Sequence, residues 1–179
     1  MNQFLSKDKP TNASGRFGRL SYLAWLFLSS VIFMIIIGVL VAIFGLFIDP
    51  QHPESISTPA IILVVILYIA FIYFSIVFMI RRLHDRNHSG WLALLMLVPL
   101  VNVIFAIYLF FAKGDAETNK YGAPRVTQGW EKVVGWIYIL MIPVVMILAV
   151  VWMPSYQSYI ERAQQAQIQQ SYGESPVQE

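Results

Sequence analysis

The chain contains no cysteine, few charges, and no charged residue at all across its longest apolar runs. The missing cysteines exclude disulfides and thiolate metal sites and leave the redox compartment open. Charged residues make up 12% of the chain and hydrophobic residues 58%, where an ordinary soluble domain has about a quarter charged and about half apolar. Together these figures exclude a water-soluble globular domain. The net charge of +2 is too small to suggest nucleic acid, and the basic residues flank apolar spans rather than cover a soluble face. No phosphate-binding loop, nucleophile elbow or dinucleotide fingerprint is present. No cleavable signal peptide is expected, because Met1 to Arg19 is polar and the apolar stretch after it is too long for a signal core. At 179 residues, one compact domain is the expectation.

What is present is four apolar stretches. Tyr22 to Ile48 carries no charge over 27 residues, a helix of about 40 Å, so it crosses a hydrocarbon core with tilt. Asp49-Pro50 ends it. Thr58 as N-cap and Pro59 as first helical residue open the second span, about Ala60 to Ile80, which stops at Arg81-Arg82. Trp91 to Phe111 is the third stretch, interrupted by Pro99 and by Asn102, which is placed to cap a turn. Val133 to Met153 is the fourth, with Pro143 inside it and tryptophans at its borders. A Tyr- and Gln-rich helical tail follows Pro154 and ends at Gly173 to Pro176.

The cations then set the threading. The N-terminal segment has Lys7, Lys9, Arg16 and Arg19, and the first loop has none. The second loop has Arg81, Arg82 and Arg86, the third Lys113, Lys120, Arg125 and Lys132, and the tail only Arg162. The positive-inside rule puts the N-terminus and second loop in the cytoplasm. A full crossing by Trp91 to Phe111 would leave 8 cations inside and 4 outside, and a hairpin that dips in and returns would leave 11 and 1. Pro99 near the middle and arms of about ten residues favour the hairpin. The expected fold is an all-α integral membrane protein with three full crossings and one re-entrant hairpin, the alternative being four transmembrane helices. The C-terminus is then periplasmic.

Three clusters carry a resemblance. They are Gly15-Arg16-Phe17-Gly18-Arg19 with Tyr22 and Trp25, Arg81-Arg82-Leu83-His84-Asp85 with Ser89-Gly90-Trp91, and Asn119-Lys120-Tyr121-Gly122. In order and spacing, over about Ala13 to Pro124, they resemble the DUF805 family of small bacterial inner-membrane proteins. That resemblance implies a membrane location and little else, because the family's biochemical role is undefined. The family usually has Gly and a basic residue where this chain has Asn87 and His88, and Asn is the next-best residue for a positive φ. The expected division is 1–126 as the family domain and 127–179 as an added transmembrane helix and tail. From Ile147 to Gln164 that tail resembles the N-terminal helix of a type IV pilin, through Pro154, Tyr156, Tyr159 and Arg162-Ala163-Gln164. Lys132 and Ile137 stand where the pilin cleavage glycine and glutamate belong, so no processed, polymerising pilin is expected.

Arg16, Arg19, Arg81, Arg82 and Arg86 lie at one interface in this topology. With the Ser89-Gly90 helix opening they form a candidate site for a lipid phosphate or an acidic partner segment. Ordinary anchoring and pairing with Asp85 is the plainer reading. His84 and His88 are four apart with Asp85 between. No third metal ligand is evident, so His84 and Asp85, like Asn119, Tyr121 and Gly122, are expected to tie loop backbone, with no metal and no cofactor. Gly38, Ala42 and Gly45 form a small-residue stripe that permits close helix contact within the bundle or in a homo-oligomer. No ionisable residue lies within the apolar stretches, which argues against coupled transport. The resulting expectation is a non-enzymatic scaffold whose arginine face engages membrane lipids, anionic ones included, or a membrane-protein partner. The alternatives are a transporter or channel component and a membrane enzyme using His84 and Asp85.

Overall fold

The computed structural model describes residues 9–45 and 58–173. Four α-helices and one 3₁₀ helix follow in order: α1 Arg19–Gly45, α2 Thr58–Asp85, the 3₁₀ helix Gly90–Leu97, α3 Val101–Phe111 and α4 Gly129–Gly173. Among the described residues the sole extended pairing is an isolated bridge between Asn119 and Gly122. The chain divides into two compact units, Met1–Tyr138 and Ile139–Glu179. In the second unit α4 runs on as one helix through Pro143 and Pro154. The first loop, its border at Asp49-Pro50 and the residues after Gly173 lie outside the described residues.

Three helices are long and apolar enough to cross a membrane: Arg19–Gly45, Thr58–Asp85 and Gly129–Gln165, with mean hydropathy 3.0, 3.0 and 2.7 in their most apolar windows. Only 0%, 11% and 6% of those windows is buried within the chain. A soluble fold hides such surface; here it faces outward, and lipid is the medium that matches it. The buried set mixes apolar residues such as Phe17, Leu83 and Leu109 with an unusual share of polar ones, since Arg16, Ser21, Arg81, Arg82, Asp85 and Glu131 are all hidden. The chain is a multi-pass helical membrane protein.

Trp91 to Phe111 makes no fourth long helix. The 3₁₀ helix has 8 residues and α3 has 11, so each arm is about 16 Å long, well short of the roughly 30 Å core. The two arms meet at Val98, Pro99 and Leu100, where Leu100 adopts a left-handed φ of 68°. The first arm begins and the second arm ends beside the last turn of α2. The Asp115 N–H donates to the Asp85 carbonyl at 2.8 Å, and Arg82 Nε donates to the Leu109 carbonyl at 2.9 Å. The segment therefore leaves and returns at one end of the unit. Asn102 does not cap the turn with its side chain. Its backbone N–H closes on Val98 O at 3.0 Å, and the cap position, Leu100, has no side-chain cap bond.

α2 also runs further than composition suggests. It passes through Arg81-Arg82 to Asp85 because both guanidiniums find partners inside the protein instead of in water. Its end is a Schellman cap: His88 N–H donates to Leu83 O and Asn87 N–H to His84 O, each at 3.0 Å, with Asn87 at φ 57°. That is the position where left-handed backbone is required and Asn is tolerated next after Gly.

The small residues divide sharply by location. A Cβ built on Gly38 or Gly45 meets nothing within 4 Å among the described residues, so neither glycine of the Gly38, Ala42 and Gly45 stripe marks a close crossing there. Gly135 of α4 is different, because a Cβ there would sit 2.8 Å from Leu20 O of α1 and 3.2 Å from its Cα. Backbone meets backbone at that crossing and neither side can yield. Gly135→Ala is expected to destabilise the protein by about 1–3 kcal/mol, read as a lower unfolding temperature in detergent. Gly38→Ala is expected to leave that temperature unchanged or slightly raised, and equal behaviour of the two variants would refute the crossing.

Candidate functional site

The start of α1, the end of α2, both ends of the hairpin and the start of α4 meet at one pole, and two buried carboxylates organise it. The first is Asp85. Arg16 Nε donates to its Oδ1 at 3.2 Å and Arg82 to its Oδ2 at 2.7 Å. The remaining donors of these arginines reach backbone carbonyls. Arg16 bonds Glu117 O at 2.7 Å, Gly122 O at 3.0 Å and Asp115 O at 2.5 Å. Arg82 bonds Leu109 O at 2.9 Å and the Ala112 carbonyl. Arg81 reaches the carbonyls of Asn12 at 2.9 Å and Ser14 at 2.6 Å. Arg16, Arg81 and Arg82 are 1%, 0% and 0% exposed, so their donors point inward.

The second centre is Glu131, fully buried in the first turn of α4. Arg125 grips it with two bonds of 2.8 Å. Ser21 Oγ donates to it at 2.9 Å and Trp25 Nε1 at 2.8 Å, both from α1. It also accepts the Gln128 N–H at 2.9 Å, the reach-back of a capping box onto the residue before the helix. Phe17 joins the two centres, with the Arg81 guanidinium 4.2 Å and the Arg125 guanidinium 5.2 Å from its ring centroid. It is 0% exposed, where a desolvated cation–π contact is at its strongest.

The loop motif completes the knot. Asn119 Nδ2 donates to His84 O at 2.9 Å and to Asp115 Oδ2 at 3.2 Å. Its own Oδ1 accepts the Tyr121 N–H at 2.9 Å. Asn119 and Gly122 exchange both backbone bonds, with Gly122 at φ 108°. Tyr121 stacks on His84 at 3.6 Å between centroids, 8° from parallel. His84 Nδ1 lies 3.3 Å from Gly15 O. His88 faces elsewhere, onto the Tyr108 hydroxyl at 2.7 Å. Arg86 Nε donates to that same hydroxyl at 3.1 Å, a bond that raises its pKa above the ordinary guanidinium value. Arg86 also bonds the Lys113 carbonyl. Ser89 Oγ accepts the Trp91 N–H at 3.4 Å, so the N–H expected to await an anion there is already met. Arg19 is exposed on the rim, as are Lys9, Lys113, Lys120 and Lys132.

Sequence reasoning missed three participants. Gly114 packs against Asp85 so closely that a Cβ would lie 2.7 Å from the carboxylate carbon. Arg125 entered only the cation count, and Glu131 was not singled out. The capping-box spacing from Gln128 to Glu131 was the one signal that could have marked Glu131. Removing the Asp85 charge by Asp85→Asn leaves two buried guanidiniums without their anion. A loss of about 3–5 kcal/mol is expected, measured as detergent unfolding, with the Arg82→Gln, Asp85→Asn pair costing less than the sum of the singles. Strict additivity would show that the pair is not coupled. Gly114→Ala is expected to destabilise by about 1–3 kcal/mol, checked in the same assay, whereas Gly122→Ala meets no atom within 4 Å and is strained through its φ alone.

A family model described as "Protein of unknown function (DUF805)" matches residues 10–123, a range that holds every member of the Asp85 centre and stops before Arg125 and Glu131. Two curated relatives are called inner membrane protein YhaI, from Escherichia coli strain K12 and from Escherichia coli O157:H7. Each is 42% identical over 43 residues, which is 24% of this chain and 36% of the relative. The match thus spans about a third of the relatives' length. No solved structure matches.

Proposed function

The chain belongs to the DUF805 family, whose description assigns no activity, and from the geometry we propose that it is a non-enzymatic scaffold of the bacterial inner membrane. Its knotted pole faces the cytoplasm, its C-terminal tail faces the periplasm, and the cations around the knot hold anionic lipid phosphates. The observation that carries this reading is the division of labour among the cations. Arg16, Arg81 and Arg82 close the knot from inside, while Arg19, Lys9, Lys113, Lys120 and Lys132 stay exposed around it. A rim of that sign, at the end of three apolar helices, matches the cytoplasmic leaflet in the positive-inside rule. The relatives' printed names support the inner membrane.

The same geometry weighs against an enzyme built on His84 and Asp85. Asp85 holds two guanidiniums and is backed by Gly114, so no proton acceptor is left for a substrate. His84 leans on Tyr121 and turns Nδ1 to a backbone carbonyl.

Two measurements test the proposal. The chain has no cysteine, so single cysteines report sidedness cleanly. Lys120→Cys is expected to resist a membrane-impermeant maleimide in intact cells and to react after permeabilisation, while Gln178→Cys reacts in intact cells; exterior labelling at 120 would overturn the orientation. The triple variant Arg19→Gln, Lys113→Gln, Lys132→Gln is expected to lower phosphatidylglycerol retention in native mass spectrometry by roughly 100-fold, at about 1 kcal/mol per cation. Unchanged retention would reject the rim as a phosphate surface.

A further inference from the structure

A groove of about 470 Å³ lies between α2 and the 3₁₀ helix. Its walls are apolar, formed by Ile76 and Ile80 on one side and Trp91, Ala93 and Leu94 on the other. Ile76, Leu94 and Trp91 are 42%, 55% and 80% exposed, so the groove opens outward along surface that lipid covers. One end is polar and consists of His84, Ser89 and Tyr121. Gly90 keeps the passage between the two regions open, because a Cβ there would lie 2.9 Å from Ile80 and 3.4 Å from His84 Nε2.

The hydrogen-bond roles at the polar end follow from elementary chemistry. His84 Nδ1 lies 3.3 Å from a carbonyl oxygen, and a carbonyl only accepts, so Nδ1 carries the proton of the neutral ring. Nε2 is then a lone-pair acceptor, and among the described residues nothing donates to it. The Tyr121 hydroxyl likewise has no hydrogen-bond partner among the described residues. Ser89 Oγ accepts the Trp91 N–H, which leaves its own hydrogen free to donate. The Lys120 ammonium lies 5.1 Å from the Tyr121 ring centroid. One acceptor therefore lines the polar end of an apolar groove together with two hydroxyl donors, and a cation lies over the ring of one of them.

We propose that this groove is a phospholipid site selective for a headgroup that donates a hydrogen bond. An acyl chain lies along Ile76, Ile80 and Leu94. The phosphate accepts from Tyr121, Ser89 and Lys120, and the headgroup amine donates to His84 Nε2. A phosphoethanolamine lipid has all three parts. A phosphocholine lipid has the chain and the phosphate but no N–H, and inorganic phosphate lacks the chain. The cleft between α1 and α2, about 320 Å³ and lined by side chains such as Phe33, Phe71 and Phe74, offers no comparable pairing of groups to choose an occupant.

The proposal shares with the scaffold reading Lys120 and the assumption that this pole lies at the membrane surface. Its test uses headgroups of equal net charge, so a failure of the basic rim and a failure of the groove are separately visible. Retention by the full-length protein is measured in native mass spectrometry for phosphatidylethanolamine and its mono-, di- and trimethylated forms with identical chains. The first three keep at least one N–H and the last has none. The expected result is near-equal retention for the first three and a drop of roughly three- to tenfold at the last methyl. An even decline with each methyl would reflect size alone and would overturn the proposal, as would no decline. His84→Phe preserves a ring against Tyr121 and is expected to abolish the step. Tyr121→Phe is expected to lower retention of all four lipids while the step persists. If His84→Phe does not fold, Leu94→Trp decides, since it fills the groove away from both buried carboxylates. Loss of retention across the series supports the site, and an undiminished step overturns it.

Discussion

One carboxylate shared by two buried guanidiniums is the contact on which the pole is built. Asp85 sits at the last turn of α2, and through Arg16 and Arg82 it gathers the N-terminal segment, the hairpin and the following loop around that turn. Charge alone does not account for the arrangement of Arg16, Arg81 and Arg82, because Arg16 and Arg82 share the one carboxylate of Asp85. The remaining donors of Arg16 and Arg82 are met by carbonyl oxygens from the last turn of α3 and from loops with no ladder of their own. Irregular backbone near a bilayer must have its polar groups satisfied inside the protein. A guanidinium offers five donors in a fixed plane, and an ammonium offers three on a flexible stem. Arginine can therefore serve several strands of loop at once, which explains why all three hubs are arginine.

Glu131 extends the same solution to α4. Its first turn is fastened to α1 by Ser21, Trp25 and Arg125, and Phe17 carries the contact across to Arg81. The result departs from a soluble protein: charged side chains share the interior of the pole with Phe17 and Leu83, and apolar ones form the exterior of the spans. The hairpin follows from this organisation. With its first end packed against the last turn of α2 and its second bonded there, it brings the chain back to the pole from which α4 then departs.

The helical membrane class and the three long spans were legible because hydropathy and charge act on whole segments. The hairpin was legible from Pro99 and from the arm lengths. The three motif clusters, which are distant in sequence, do meet in space. What the sequence did not show is the direction in which each arginine points. A cation beside an apolar run reads as an anchor in water, and only the path of residues 9–18 and 112–122 reveals that carbonyls enclose it. Gly114 was illegible because its constraint comes from Asp85, far away in sequence, and not from its own φ. Glu131 was hidden among loop charges that nearly cancel, and α2 overran its expected end because its arginines had partners that composition does not record.

The sequence separation of these contacts bears on how the protein is made. Arg16 finds Asp115, Glu117 and Gly122 about a hundred positions later, and Ser21 waits as long for Glu131. During translation α1 and α2 therefore emerge and enter the bilayer well before their polar partners have been synthesised. Until residue 122 leaves the ribosome, water and lipid headgroups must solvate the donors of Arg16. The pole can close only as the last span begins to appear, so assembly is paced by the order of synthesis rather than by the hydrophobicity of the first two helices.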